Sequence, residues 1–457
     1  MKYGQRQSRA LLLGVGLGAA FPLSTELLAQ DQRDEDIFGS EAKSGPSPDA
    51  EAKRKAVLSD SLQIGGRLEL RMNQGVQDQQ SFSKGALSQE KTADLYFDSR
   101  PNKDVRVFLR TRLSEASPKA ANTDPDVSTA LDEFWFKWDY NDLVYFTYGK
   151  QHLKWGSGRF WNPTDFTAQE VRDPLALFDR RLGQELLKIH IPQEKSGHNY
   201  YLILQSQGAV RSDDLGVALR GEWSVGSSAE VALSAYTRRG SAQKLGFDLS
   251  TALGPLDLNI ELATQKRLSR TFYRGEIDPT TLQLPESYQV SDRFFQQGVL
   301  GIKQTVKYSD DDSLTYGLEG FVNQLGYKDR ELELYSLIQG QSQSLYAGDR
   351  YLAAYVLLPS PGSWNKSSWF FNALENLGDR TTLARVTATY TLYDQATLEV
   401  YVGRCFGEYG ELCFQVPQSY KSLAELPGIS EDLKRIVALL PTRKTNLTTG
   451  LSLSMNF

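Results

Sequence analysis

The chain has 457 residues, a formal net charge of -5 and a mean hydropathy of -0.42. It contains no run of about 18 apolar residues, which excludes an ordinary helical membrane protein. The acidic balance, with no concentrated Lys and Arg face, excludes a nucleic-acid binder. Three His, two Cys and three Met leave little material for metal or redox chemistry, so no metal or other cofactor is expected. The 22 Tyr instead suit strands and aromatic girdles.

Lys2, Arg6 and Arg9 precede an apolar core over 10–23, and the small residue Ala29 offers a cleavage point. That layout is a secretory signal peptide over 1–30, too short in its core to be an anchor. No Cys lies near the cleavage point, so a lipoprotein is not expected. Residues 31–60 are rich in Asp, Glu, Lys, Ser, Pro and Ala and poor in residues worth burying, which predicts a disordered periplasmic lead.

From 61 to 457 the pattern changes to short alternating segments. Ile64, Leu68 and Leu70 alternate with Arg67, Glu69 and Arg71; Val105, Val107 and Leu109 alternate with Arg106, Phe108 and Arg110. Leu256, Leu258, Ile260 and Leu262 likewise oppose Asp257, Asn259 and Glu261. A period of two with one apolar and one charged face describes a half-buried strand. Such strands are proposed near 61–72, 91–100, 103–114, 128–139, 142–152, 185–193, 199–207, 214–224, 228–238, 243–253, 255–266, 295–308, 313–325, 330–338, 348–358, 381–393, 396–405 and 444–457. Their connections alternate between tight turns and long loops, an arrangement a soluble sandwich has no reason to adopt. The expected fold is therefore all-β: a transmembrane, antiparallel, up-and-down β-barrel of about 18 strands, with apolar faces to lipid and charged faces to water. The segment 330–338 is the weakest member, and without it about 16 strands is the alternative.

The third long loop, in the stretch YGKQHLKWGSGRFWNPTDFTAQEVRDPLALFDRR over 148–181, concentrates Trp, Gly, Pro and charge of both signs. Gly149, Gln151, Trp155, Gly156, Gly158, Asn162, Pro163 and Asp165 form a pattern G-x-Q…W-G-x-G…N-P-x-D that is similar to one in large porin-like outer-membrane proteins. A looser likeness follows in NLGDRTTLARVTATYTLY over 376–393. The resemblance implies a third loop, about 153–184, folded into the barrel as a constriction. Trp155, Arg159, Asp165, Arg172, Asp173, Asp179, Arg180 and Arg181 are then the candidates to line it. The alternative is that these charges pair with the wall and hold the loop in place. The candidate lumen wall carries Arg67, Arg71, Arg106, Arg110, Arg112 and Arg385 against Glu69, Asp94, Asp98, Glu133, Asp257, Glu261 and Glu399. Neither sign dominates by count, so strong ion selectivity is not expected.

No catalytic site is expected. His152, His190 and His198 lack a nucleophile signature, and Trp155-Gly156-Ser157-Gly158-Arg159 lacks the glycine spacing of a nucleophile elbow. Cys405 and Cys413, close together in an exported chain, are expected to form a disulfide. Apolar residues over 423–440 recur at helical spacing, which suggests a loop helix.

The last stretch, TNLTTGLSLSMNF, alternates to its end: Leu447, Leu451, Leu453, Met455 and Phe457 share one parity. It resembles the closing strand of Gram-negative outer-membrane β-barrels, which ends in Phe and is read by the barrel-insertion machinery. That resemblance implies a location in the outer membrane, contact with its lipid, and Phe457 as insertion signal. The function expected is passive diffusion of small hydrophilic solutes. The alternative is a structural or surface-recognition barrel with its lumen closed by loops. The sequence leaves the oligomeric state open.

Overall fold

Period-two alternation over eight or more residues, broken by Gly, Asn and Asp pairs, commits most of this chain to extended hairpins. A computed structural model describes residues 62–117, 127–168, 170–175, 181–240, 242–266, 270–276, 285–290, 292–415 and 443–457. The strands in chain order are β1 (Leu62–Gln77), β2 (Ala86–Asn102), β3 (Val105–Ser117), β4 (Val127–Tyr140), β5 (Val144–Gln151), β6 (Gln184–Gln193), β7 (His198–Gln205), β8 (Gly216–Val225), β9 (Ala229–Thr237) and β10 (Gln243–Leu253). They continue with β11 (Leu256–Lys266), a short hairpin of β12 (Phe272–Arg274) and β13 (Glu286–Tyr288), then β14 (Phe295–Lys307), β15 (Ser313–Asn323), β16 (Arg350–Pro359), β17 (Ser367–Asn376), β18 (Thr381–Tyr393), β19 (Ala396–Phe406) and β20 (Thr445–Asn456).

All but β12 and β13 form one 18-stranded sheet in which each strand pairs antiparallel with its neighbours. β11 pairs with β14 across the short hairpin, and β20 pairs with β1 in the register Leu70↔Leu453. The sheet is thus a closed barrel, and closure leaves no unpaired edge. Phe457 completes the seam: its N–H donates to the Gly66 carbonyl at 3.0 Å, and the Gly66 N–H donates to the Phe457 carbonyl at 2.9 Å.

The apolar parity points outward throughout. Leu70, Leu219, Leu262, Leu300, Val322 and Leu453 are exposed, whereas Glu69, Arg220, Glu261 and Glu319 on the opposite parity are buried. The Phe457 ring continues the outward stripe of Leu451, Leu453 and Met455. Near the end that carries the tight turns, Trp138 packs on Tyr140 and Phe146, and Trp364 packs on Trp369, with Tyr308 and Tyr393 exposed beside the turns. An outward apolar band with an aromatic girdle is the surface a bilayer requires of a barrel.

Two strand assignments are corrected. Residues 330–338 are not a strand but helix α1 (Arg330–Ile338). The Asp329 side chain accepts from the Glu331 and Leu332 N–H groups at 3.0 Å each, and Glu331 and Glu333 in the first turn suit the helix dipole. Conversely, β17 was not expected. Its segment SSWFFNALEN is apolar on both faces, because Phe370 and Leu374 turn inward onto a packed interior while Trp369 and Phe371 turn outward, so no alternation shows. The two differences cancel in the strand count. They also move residues 339–347 to the long-loop end and make 360–366 a tight turn at the other. The segments 1–61 and 423–440 lie outside the described residues.

Candidate functional site

The loop between β5 and β6 runs into the barrel, and its entry is held by a single carboxylate. A register shift between β3 and β4 places Arg110 opposite Glu133 and Thr111 opposite Leu131, leaving Asp132 as the extra residue of a bulge. Asp132 and Glu133 therefore both turn inward, each fully buried, although they are adjacent. Asp132 Oδ1 lies 3.0 Å from His152 Nε2 and accepts the Gly183 N–H at 3.3 Å, and Arg112 Nη2 donates to Asp132 Oδ2 at 3.2 Å. Both ends of the loop are thus gathered on one side chain.

From there the loop crosses to the far wall, where two glutamates receive its backbone. Glu261 on β11 accepts at Oε1 from the Ser157 and Gly158 N–H groups at 2.6 Å each and from Asn162 Nδ2 at 3.2 Å. Its Oε2 accepts from Thr164 N–H at 3.3 Å and Thr164 Oγ1 at 2.8 Å. Glu319 on β15 accepts from Arg159 N–H at 2.7 Å through Oε2, and from Phe160 and Trp161 N–H at 2.9 Å each through Oε1. Consecutive amides converging on a carboxylate satisfy a charge that would otherwise be costly to bury. Glycine is required for that approach: Gly156 has φ +92°, and a Cβ there would lie 2.7 Å from the Glu261 oxygens.

Aromatic rings complete the docking. Trp161 is fully buried, stacks on Phe321 at 5.4 Å, and donates from Nε1 to the Leu345 carbonyl at 2.9 Å. Phe160 meets Tyr355 edge-on at 5.8 Å, and the Arg159 guanidinium lies over Tyr355 and Phe370 at 4.7 and 4.8 Å. Trp155 and Phe166 are buried with Leu186, Ile203 and Tyr236, beneath the Arg220 guanidinium at 5.5 Å. Among the sequence candidates, then, Trp155 is buried in the loop's anchor. Asp165 pairs with Arg181 at 2.9 Å, Arg172 is buried, and Asp173 accepts the Leu175 N–H at 2.9 Å. Asp179 and Arg180 lie outside the described residues.

The wall candidates all sit on the inward parity, and apart from Glu261, which takes the loop amides, and Asp257, which lies 3.8 Å from Lys303, they are paired with one another. Arg71 donates to Glu69 at 2.8 Å, Arg106 reaches Asp98 with two donors at 2.8 and 2.9 Å, and Arg110 lies 3.4 Å from Glu133. Arg112 donates to Asp94 at 2.8 Å, Arg67 lies 3.6 Å from Glu69, and Arg385 lies 3.6 Å from Glu399. Sequence reasoning missed Asp132 and Glu319. Each stands in a strand with inward polar parity, but the loop backbone that gives it a role lies far away in sequence.

At the long-loop rim Cys405 and Cys413 are joined by a disulfide, which folds residues 407–412 back over the barrel wall. Glu411 is the hub there. It accepts from Leu345 and Ala347 N–H, from Tyr351 Oη at 2.6 Å and from Asn376 Nδ2 at 2.9 Å, while its own N–H donates to Asp379 Oδ2 at 2.6 Å. Since Leu345 also accepts from Trp161, the rim and the inward loop share a residue. Converting both cysteines to serine is expected to cost about 2.5 kcal/mol by loop entropy. It should raise amide hydrogen exchange at 407–412 and 345–347; unchanged exchange would show that Glu411 holds the rim without the disulfide.

Among the described residues no group of three or more His, Cys, Asp or Glu is placed to hold a metal ion. A closed barrel with an outward apolar band, an inward charged wall and an inward loop defines a porin-like barrel of outer-membrane type. No protein-family model and no curated protein matches the sequence. Among solved structures the chain is similar to two engineered variants of the Rhodopseudomonas blastica porin, each at 11% identity and covering 87% of this chain and 100% of that chain, with TM-scores of 0.42 and 0.41. The class rests on this barrel's own geometry.

Proposed function

We propose that the protein is a passive channel for small hydrophilic solutes, exported through a cleaved signal peptide, inserted in the outer membrane by way of its terminal Phe457, and narrowed by the loop over 152–183. The observation that carries this reading is the docking of that loop on Glu261 and Glu319. A segment clamped across the inside of a closed barrel reduces its cross-section without sealing the wall opposite. Mixed, paired charges and partly exposed arginines on that opposite wall support a water-filled passage, because charge of this density is tolerated in a barrel only beside water.

Purified protein in planar bilayers should give large, stable openings. A complete lack of openings would favour a barrel closed by its loops and used for surface recognition. Deleting residues 160–176 should raise the single-channel conductance, since it removes Trp161, the ring that pins the loop to the far wall. An unchanged conductance would mean the loop lies outside the narrowest section.

A further inference from the structure

The lumen wall is not uniform in what it shows to water. β18, β19, β20, β1, β2 and β3 are successive neighbours in the sheet and form one continuous stretch. Its inward parity carries Arg385, Arg67, Arg71, Arg106, Arg110 and Arg112. The stretch across the barrel, from β10 to β15, carries Asp248, Asp257, Glu261 and Glu319 instead, with Lys303 3.8 Å from Asp257. By count the two signs nearly balance, and exposure separates them.

On this stretch the inward loop covers three of the carboxylates, whereas the Asp257 side chain stays 37% exposed, 3.8 Å from Lys303 Nζ. Glu261 is 0% exposed, Glu319 2% and Asp248 4%. Loop amides occupy Glu261 and Glu319, Arg220 occupies Asp248, and the Thr164 hydroxyl sits between Asp248 at 2.6 Å and Glu261 at 2.8 Å with one proton for the two. Beside the arginine stretch the described loop residues bond Asp132, through His152 and Gly183. Each arginine there is ion-paired, and its side chain remains 16% to 24% exposed. The partner carboxylates mostly lie behind: Asp132 and Glu133 at 0%, Asp98 at 8%, Glu69 at 10% and Glu399 at 12%, with Asp94 at 22% the exception. The pairs are therefore layered, carboxylate toward the sheet and guanidinium toward the lumen. A solute passing within a few ångströms meets the nearer charge of each pair first, and in the screened interior of a pore the nearer charge dominates.

We propose that the passage prefers small anionic solutes, which would be guided by the guanidinium layer on β1, β3 and β18 while the loop withdraws Asp248, Glu261 and Glu319 and Lys303 offsets Asp257. This rests on the channel reading and extends it to a solute class. The test is the reversal potential of the full-length protein in a planar bilayer under a tenfold KCl gradient. Chloride is expected to be severalfold more permeant than potassium, and the preference should weaken as total salt rises, because salt screens the layer. Openings with no preference, or with a preference for potassium, would overturn the proposal and leave the channel reading intact. A lack of any openings would overturn both. The triple variant Arg106→Gln, Arg110→Gln, Arg112→Gln should lose most of the preference, and the matching triple change to Lys should retain it. A chloride preference that survives the Gln variant in a folded barrel would place the selectivity elsewhere and refute the role given to these side chains.

Discussion

Replacing Glu261 and Glu319 together by alanine is expected to release the inward loop and roughly double the single-channel conductance, since current follows the open cross-section. The reason lies in where the loop's polar groups go. Ser157, Gly158, Arg159, Phe160, Trp161 and Thr164 donate their backbone N–H groups to these two carboxylates. A hydrogen bond to a charged group contributes about 1.5–3 kcal/mol, and an amide left buried without an acceptor costs about 1–3 kcal/mol. Six amides stranded at once outweigh the stacking of Trp161 on Phe321, so the loop should leave the wall and expose its amides to water. The barrel itself should persist, because its ladder of backbone pairs does not pass through either side chain. Changing both residues to glutamine retains an acceptor at each position and should give a smaller increase. Equal conductance in the parent and the double alanine variant would show that the aromatic contacts alone hold the loop.

The second large effect is a pH dependence confined to the rim. Glu333 on α1 is buried and shares the Asn376 amide with Glu411: Asn376 Nδ2 donates to Glu333 Oε1 at 2.6 Å and to Glu411 Oε2 at 2.9 Å. Burial first, then the neighbouring charges of Glu411 and Asp379, push the Glu333 carboxyl up to about 11; burial likewise raises Glu411. Asp379 and Asp349 are the other buried acids at this rim, and Arg330 donates to the Asp379 carbonyl at 2.8 Å. A carboxyl raised in the closed rim above its ordinary value of 4.5 stays protonated there, whereas in an opened rim it would ionise. The stabilisation it supplies is full below about 4.5 and is lost as pH rises toward about 11, with a slope of at most about 1.4 kcal/mol per pH unit per proton. Hydrogen-exchange protection of residues 330–338, corrected for the intrinsic rate, should fall between mildly acidic and alkaline pH. Glu333→Gln, which is neutral at every pH, should flatten that fall and raise protection on the alkaline side. If the variant keeps the parent's slope, the protons responsible sit elsewhere.

Ile64, Leu68, Leu70, Leu451, Leu453 and Met455 show how much of the architecture is legible in the chain. Strand alternation needs only the parity of side chains, and lipid outside with water inside preserves that parity wherever the lumen is wet. The same logic explains the two misread segments. β17 faces a packed aromatic interior, so both its parities are apolar and its signal disappears. Glu331, Leu332, Glu333 and Leu334 alternate like a strand but begin a capped helix, because Asp329 supplies the acceptor that local amides require.

By itself the sequence determined a barrel with tight turns at one end and long loops at the other, an unusual third loop, and a wall with charge of both signs. Those are local properties of pattern and composition. Only the tertiary structure decided that Glu261 and Glu319 hold that loop, that a bulge turns Asp132 inward to meet His152, and that the loop covers Asp248, Glu261 and Glu319 while the arginines of β1, β3 and β18 stay partly exposed. Each depends on which groups meet across a barrel, between residues up to 160 positions apart in the chain. Burial and pairing at that separation are set by closure of the sheet, which no window of sequence contains.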